Sequence, residues 1–218
     1  MTRPVKTLLS FLTAALLVLA TWILLGAPVH TPGAICRRAE RELLTADIQP
    51  VKAFRKEGDT LLLAWAGERP LAFRYNAPQG VEAPRFGEEA VTAYWNNCFY
   101  ALGPEAESAS ITATAYRMSL DEASREATIH DQQTFFYEGV SAGEGVWTFA
   151  VPADGPDSLP SQCWDWYVWE RDPRLSSRLL MNGPVDVVLT LYRADGSVLG
   201  EYHTTMESKQ FRFLFPVD

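Results

Sequence analysis

Gly139-Val140-Ser141-Ala142-Gly143 has the Gly-x-Ser-x-Gly spacing of a nucleophile elbow, and Asp186 or Asp195 followed by His203 gives the order serine, aspartate, histidine. An elbow needs a strand before the serine and a helix after it, so that backbone amides at the helix start face the oxyanion. Here Glu144-Gly145 leads straight into another strand-like stretch, Val146 to Val151, and the chain lacks the strand–helix alternation of that fold. The glycines therefore read as a hairpin loop. No catalytic residue is assigned, and the chain reads as a binding protein rather than an enzyme, with an anchored serine hydrolase as the remote alternative.

Metal chemistry finds no support. His30, His130 and His203 are far apart, no cysteine pair has the short spacing of a zinc site, and neither a phosphate-cradling loop nor a dinucleotide fingerprint occurs. Asp165, Glu170 and Asp172 could supply paired carboxylates, but among 27 acidic residues some such pair always presents itself. No cofactor is expected. The aromatic group Trp164, Trp166, Tyr167 and Trp169 is the one feature suited to ligand contact. Alternation sends Trp164, Trp166 and Val168 to one face, as a core would require, and Tyr167 and Trp169 to the other. Tyr167 and Trp169 are the candidate binding residues, for a partner protein or, alternatively, for the flat face of a sugar. Cys98 and Cys163 sit beside aromatic stretches and form the candidate disulfide if the domain faces an oxidising compartment, contributing at most about 4 kcal/mol in the chain-entropy picture; the alternative is three buried thiols. Cys36 remains for a free thiol or a link between two copies.

The elements that carry these residues read mostly as strands. A stiff stalk spans Ala27 to Gly33, and Ile35, Ala39, Leu43 and Ala46 recur at helical spacing up to Asp47, with Pro50 beyond. Strands are predicted over Val51 to Lys56, Thr60 to Ala66 and Pro70 to Tyr75, with a loop over Asn76 to Glu89. Ala90 to Leu102 fits neither period. Ile111 to Met118 alternates threonine against alanine, and the Ser119/Glu122 spacing suggests a helical turn over Leu120 to Ala127. Further strands follow at Thr134 to Val140, Val146 to Val151, Cys163 to Glu170 and Val185 to Arg193. Asp195-Gly196 then turns the chain into Ser197 to Thr205, and Phe211, Phe213 and Phe215 oppose Arg212 in a last half-buried strand. Val185 onward is apolar on both faces, as a central strand would be.

Before all of this comes an uncharged run, Leu8 to Leu25, behind Arg3 and Lys6. As a helix it spans about 27 Å, close to the hydrocarbon thickness of a bilayer. A cleaved signal fits less well, because cuts after Ala27 or Gly26 leave a leucine where a small residue is required. Arg3 and Lys6 favour an inside N-terminus and a domain outside. The chain carries a formal net charge of −8, and all of its acidic residues follow the run, which argues against nucleic-acid binding.

The sequence thus predicts a mainly β protein: an N-terminal transmembrane helix, then an antiparallel β-sandwich-like domain with one or two peripheral short helices. Residues 1–26 are the cytoplasmic N-terminus and anchor, 27–50 the stalk and short helix, and 51–218 the β-rich extracytoplasmic domain. The expected role is a single-pass, membrane-held binding or accessory protein. Its partners are the membrane, through Leu8 to Leu25, and another envelope protein.

Overall fold

The computed structural model describes residues 11–20, 31–76, 79–121, 127–159, 167–168 and 178–206. Within them lie two short helices, α1 (residues 11–20) and α2 (Pro32–Glu42), and thirteen strands. β1 (Ile48–Lys56), β2 (Asp59–Ala66), β3 (Arg69–Asn76) and β4 (Gly80–Phe86) form a first antiparallel sheet in chain order. A second sheet runs β5 (Val91–Tyr94), β6 (Cys98–Leu102), β10 (Val146–Ala150), β9 (Val140–Gly143). The third centres on β12 (Arg178–Tyr192), which pairs with β7 (Ser108–Asp121), itself paired with β8 (Ala127–Glu138). The remaining edge of β12 is shared: β13 (Val198–Met206) covers Val185 to Tyr192, and β11 (Tyr167–Val168) covers Leu180 and Met181. That sheet is therefore four strands wide at any level.

The three sheets stack. α2 lays Ile35, Cys36 and Ala39 on one face of the first sheet, against Ile48, Leu62, Ala64, Leu71 and Phe73. The opposite face, with Leu61, Leu63 and Ala72, packs on Val91, Ala93, Tyr100, Leu102 and Val146 of the second sheet. The second sheet's far face, with Phe99, Ala101, Trp147 and Phe149, meets Ile111, Ala113, Val187, Leu189 and Leu191 of the third. A strand between two apolar layers needs apolar residues on both sides. This accounts for Leu61-Leu62-Leu63-Ala64 in β2 and Phe99-Tyr100-Ala101-Leu102 in β6, all buried. The expected sandwich is thus one layer deeper than the sequence indicated. Where the sheet meets solvent, alternation returns: in β7, Ala109, Ile111, Ala113 and Ala115 face inward, while Thr112 and Thr114 are only half-buried.

Several local expectations are corrected. The helix starts inside the expected stalk, with Pro32 in its first turn, and stops at Glu42 rather than Asp47; Leu44 and Asp47 take positive φ values of 51° and 59°. Pro50 lies within β1 and Pro84 within β4, both edges of the first sheet, where a missing N–H is tolerated. The expected loop over Asn76 to Glu89 contains β4. The ambiguous stretch Ala90 to Leu102 is a hairpin whose central residues, Asn96 and Asn97, both have positive φ, as a type I′ turn requires. Leu120 and Asp121 belong to β7 rather than to a helical turn.

Among the described residues no helix is long and apolar enough to cross a membrane. Of the run Leu8 to Leu25 only residues 11–20 are described. The remainder of the run and the expected last strand over Phe211 to Phe215 lie outside, as does most of the aromatic strand, where β11 is the described part.

Candidate functional site

The link between β4 and β5 and the edge strand β13 enclose a cleft of about 520 Å³. On one side the chain turns sharply after Phe86. The Gly87 N–H donates to the Pro70 carbonyl at 2.9 Å, and Arg69 donates to the Gly87 carbonyl while its guanidinium lies 5.5 Å from the centre of the Phe86 ring. Any Cβ at Gly87 would meet the Ala90 carbonyl oxygen at 1.9 Å, so this tight approach requires glycine. The turn carries Glu88 and Glu89 outward before Ala90 and Val91 enter the core.

On the other side β13 offers Glu201, Tyr202, His203 and Thr204. Tyr202 is half-buried against the core between the second and third sheets, and its hydroxyl donates to Glu89 Oε2 at 3.2 Å, bridging the cleft. Burial pushes the Tyr202 phenol up, and the hydrogen bond to Glu89 and its charge push the same way. Its ring folds back along the strand over Gly200, where a Cβ would come within 2.6 Å of the hydroxyl. The rim is acidic, with Glu88, Glu89 and Glu201 against Arg85. Among the described residues no three His, Cys, Asp or Glu side chains converge as a metal site would require. The cleft combines open strand edges, apolar patches from Phe86, Ala90 and Val91, and a charged rim. Such a surface suits an extended chain better than a small reacting molecule.

The hydrolase string does not assemble. Ser141 lies on β9, followed by a turn at Glu144-Gly145, both with positive φ, and then by β10. Its Oγ accepts from the Gly143 N–H at 3.3 Å, and no hydrogen bond joins it to His203. β9 is the edge of the second sheet opposite β5, whereas His203 lines the cleft beside β5. The two aspartates are also committed elsewhere. Asp186 accepts from the Tyr116 hydroxyl at 2.9 Å and from Thr205 at 2.8 Å. Asp195 caps its own hairpin through the Ser197 hydroxyl and N–H, at 2.6 and 2.9 Å; these bonds hold its carboxyl below the usual carboxylate range.

Of the other expected site residues, Tyr167 has its backbone in β11, while Trp169, Trp164, Trp166, Asp165, Glu170 and Asp172 lie outside the described residues. Cys163 lies outside as well. Cys98 is half-buried, its Sγ donates to the Phe99 carbonyl at 3.3 Å, and burial raises its thiol pKa. Cys36 is 2 % exposed, wedged between α2 and the first sheet, so it offers no surface thiol for linking two copies. His130 falls at a bulge in β8, and His30 lies outside the described residues.

The cleft itself was not foreseen. Glu89 and Tyr202 are 113 residues apart, and only the stacking of the sheets joins them. The one local hint was Gly87 followed by two glutamates. The chain matches no family model, no curated protein and no solved structure.

Proposed function

We propose that this chain is a membrane-held binding or accessory protein, its β stack carried outside the membrane and engaging another envelope protein. The observation that supports this reading is the exposure of α1. Every residue from 11 to 20 is exposed, with Phe11 at 75 % and Val18 at 70 %. Fully burying a leucine- or phenylalanine-sized side chain is worth about 1.5–3 kcal/mol, so a helix of such residues left bare calls for an apolar cover. Lipid supplies it for the uncharged run Leu8 to Leu25, and Arg3 and Lys6 hold the short N-terminus on the inner side. A tether of this kind confines the domain near membrane partners and raises their effective concentration. The cleft beside β13, with its strand edges and charged rim, suits a polypeptide partner.

Alkaline carbonate extraction of membranes from cells expressing the full chain tests the tether. The full chain stays in the pellet, and a chain lacking residues 1–26 is recovered in the soluble fraction. Release of the full chain by carbonate overturns the reading. Crosslinking of the membrane-embedded protein then tests the partner, and recovery of sugar polymer alone would replace the protein partner with a glycan.

A further inference from the structure

α2 separates its charges by face. Ile35, Cys36 and Ala39 are buried on the first sheet, and the helical period puts Arg37 and Arg41, one turn apart, on the opposite side, both exposed. The acids of the helix are bound to the first sheet instead: Glu40 accepts from the Ile48 N–H, and Glu42 accepts from the Val81 N–H and from Arg38. Arg38 is held further by the Tyr75 hydroxyl, to which it donates at 3.3 Å, and Asp47 accepts from Gln49 at 3.1 Å. Among the described residues neither Arg37 nor Arg41 forms a salt bridge. In a chain with 27 acidic residues against 19 Lys and Arg, this is a positive face on a negative molecule. Just past the helix, Leu44 takes its positive φ, which a leucine rarely adopts, and is 93 % exposed, the barest large apolar side chain among the described residues.

We propose that this face of α2, with Arg37, Arg41 and Leu44, lies on the bilayer surface and binds anionic lipid headgroups. The inference rests on the membrane-held reading above and adds a second contact to it. Residues 26–31 alone separate Leu25 from Pro32, and seven residue steps reach at most about 25 Å, so an anchor over Leu8 to Leu25 keeps α2 close to the headgroups. A guanidinium in that position binds phosphate oxygens in its planar fork, and each basic side chain near an anionic surface strengthens binding about fivefold. Leu44 adds apolar contact at the boundary between headgroups and acyl chains. The layer order then sets the orientation: the first sheet lies nearest the lipid and the third, with the β12–β13 turn, furthest from it.

The test uses the full chain in vesicles of phosphatidylcholine, with or without phosphatidylglycerol. Leu44→p-benzoylphenylalanine is illuminated and its lipid adducts are read by mass spectrometry, with Val198→p-benzoylphenylalanine, exposed on the third sheet, as the distant control. Position 44 is expected to give phosphatidylglycerol adducts and position 198 none. Arg37→Gln with Arg41→Gln is expected to lower the yield at position 44 by about tenfold or more. No lipid adduct at position 44, equal yields at positions 44 and 198, a yield untouched by the double substitution, or the same yield in vesicles of phosphatidylcholine alone would each overturn the proposal. Flotation of the same samples separates the two readings. A chain that fails to float with phosphatidylcholine vesicles overturns the tether and this inference with it, whereas one that floats but gives no adduct at position 44 overturns this inference alone.

Discussion

Trp147 carries the one buried side-chain nitrogen among the described residues that has no hydrogen-bond partner: its indole N–H lies in the core between the second and third sheets. An unmade bond of this kind costs about 1–3 kcal/mol, which the packing of the indole must offset. Trp147→Phe removes the orphan donor along with part of the ring, so its stability is expected within about 1 kcal/mol of the parent. Trp147→Ala leaves a cavity and is expected to cost about 3–5 kcal/mol, both read from denaturant midpoints. Cys36 gives a pH signature. Burial first, and the nearby Glu40 second, push its thiol from 9.0 up to about 11, with Arg37 opposing. The folded form therefore holds its proton longer than the unfolded one. Its contribution is whole below pH 9 and is lost as pH rises toward 11, so the stability gap between the parent and Cys36→Ala narrows over that interval. At pH 8 the native thiol is expected to resist iodoacetamide and to react once urea unfolds the chain.

At the scale of elements, α2 is clasped rather than merely packed. Glu40 accepts from the Ile48 N–H at 2.9 Å, and Glu42 accepts from Arg38 at 2.6 Å and from the Val81 N–H at 2.8 Å. Burial works against the Glu42 carboxylate, but these bonds outweigh it and its pKa falls below the ordinary value. Gly80, next to Val81, has φ +90°, and a Cβ there would touch the Glu42 carboxylate at 2.8 Å. Gly80→Ala is expected to cost about 1–2 kcal/mol, from backbone strain and from loosening the clasp between α2 and β4, measured by urea unfolding. Elements with strong patterns were legible in the sequence: the threonine–alanine alternation of β7, the part of the central β12 from Val185 onward, though not its first residues from Arg178, and the Asp195-Gly196 hairpin. β4 was not, because an edge strand with a proline, a glycine and Ala83 at positive φ carries no clean period. The β5–β6 hairpin was missed because Asn-Asn supplies positive φ without the familiar glycine. The cleft was illegible for a different reason, since its residues meet through tertiary stacking alone.

For the molecule as a whole, the order in which the chain visits its sheets matters. The first sheet and α2 come from one continuous stretch, residues 32–86, whereas the chain enters the second sheet at β5 and β6, builds β7 and β8 of the third, returns for β9 and β10, and finishes in the third. The second and third sheets are interleaved and cannot be cut apart without breaking both. Fragments spanning residues 31–206 and 31–150 test this. The longer one is expected to unfold in a single cooperative transition, and the shorter one, which lacks β12, to expose the inner face of β7 and to bind a hydrophobic dye.

The face of the first sheet that carries Leu61, Leu63 and Ala72 has a consequence for biogenesis. During N-to-C synthesis it is complete some sixty residues before β10 arrives to finish its cover, so the emerging polypeptide holds a greasy surface that is only partly shielded until then. Nascent chains arrested soon after Phe86 should recruit holding chaperones and resist release, and that retention should vanish once the chain has lengthened past Ala150.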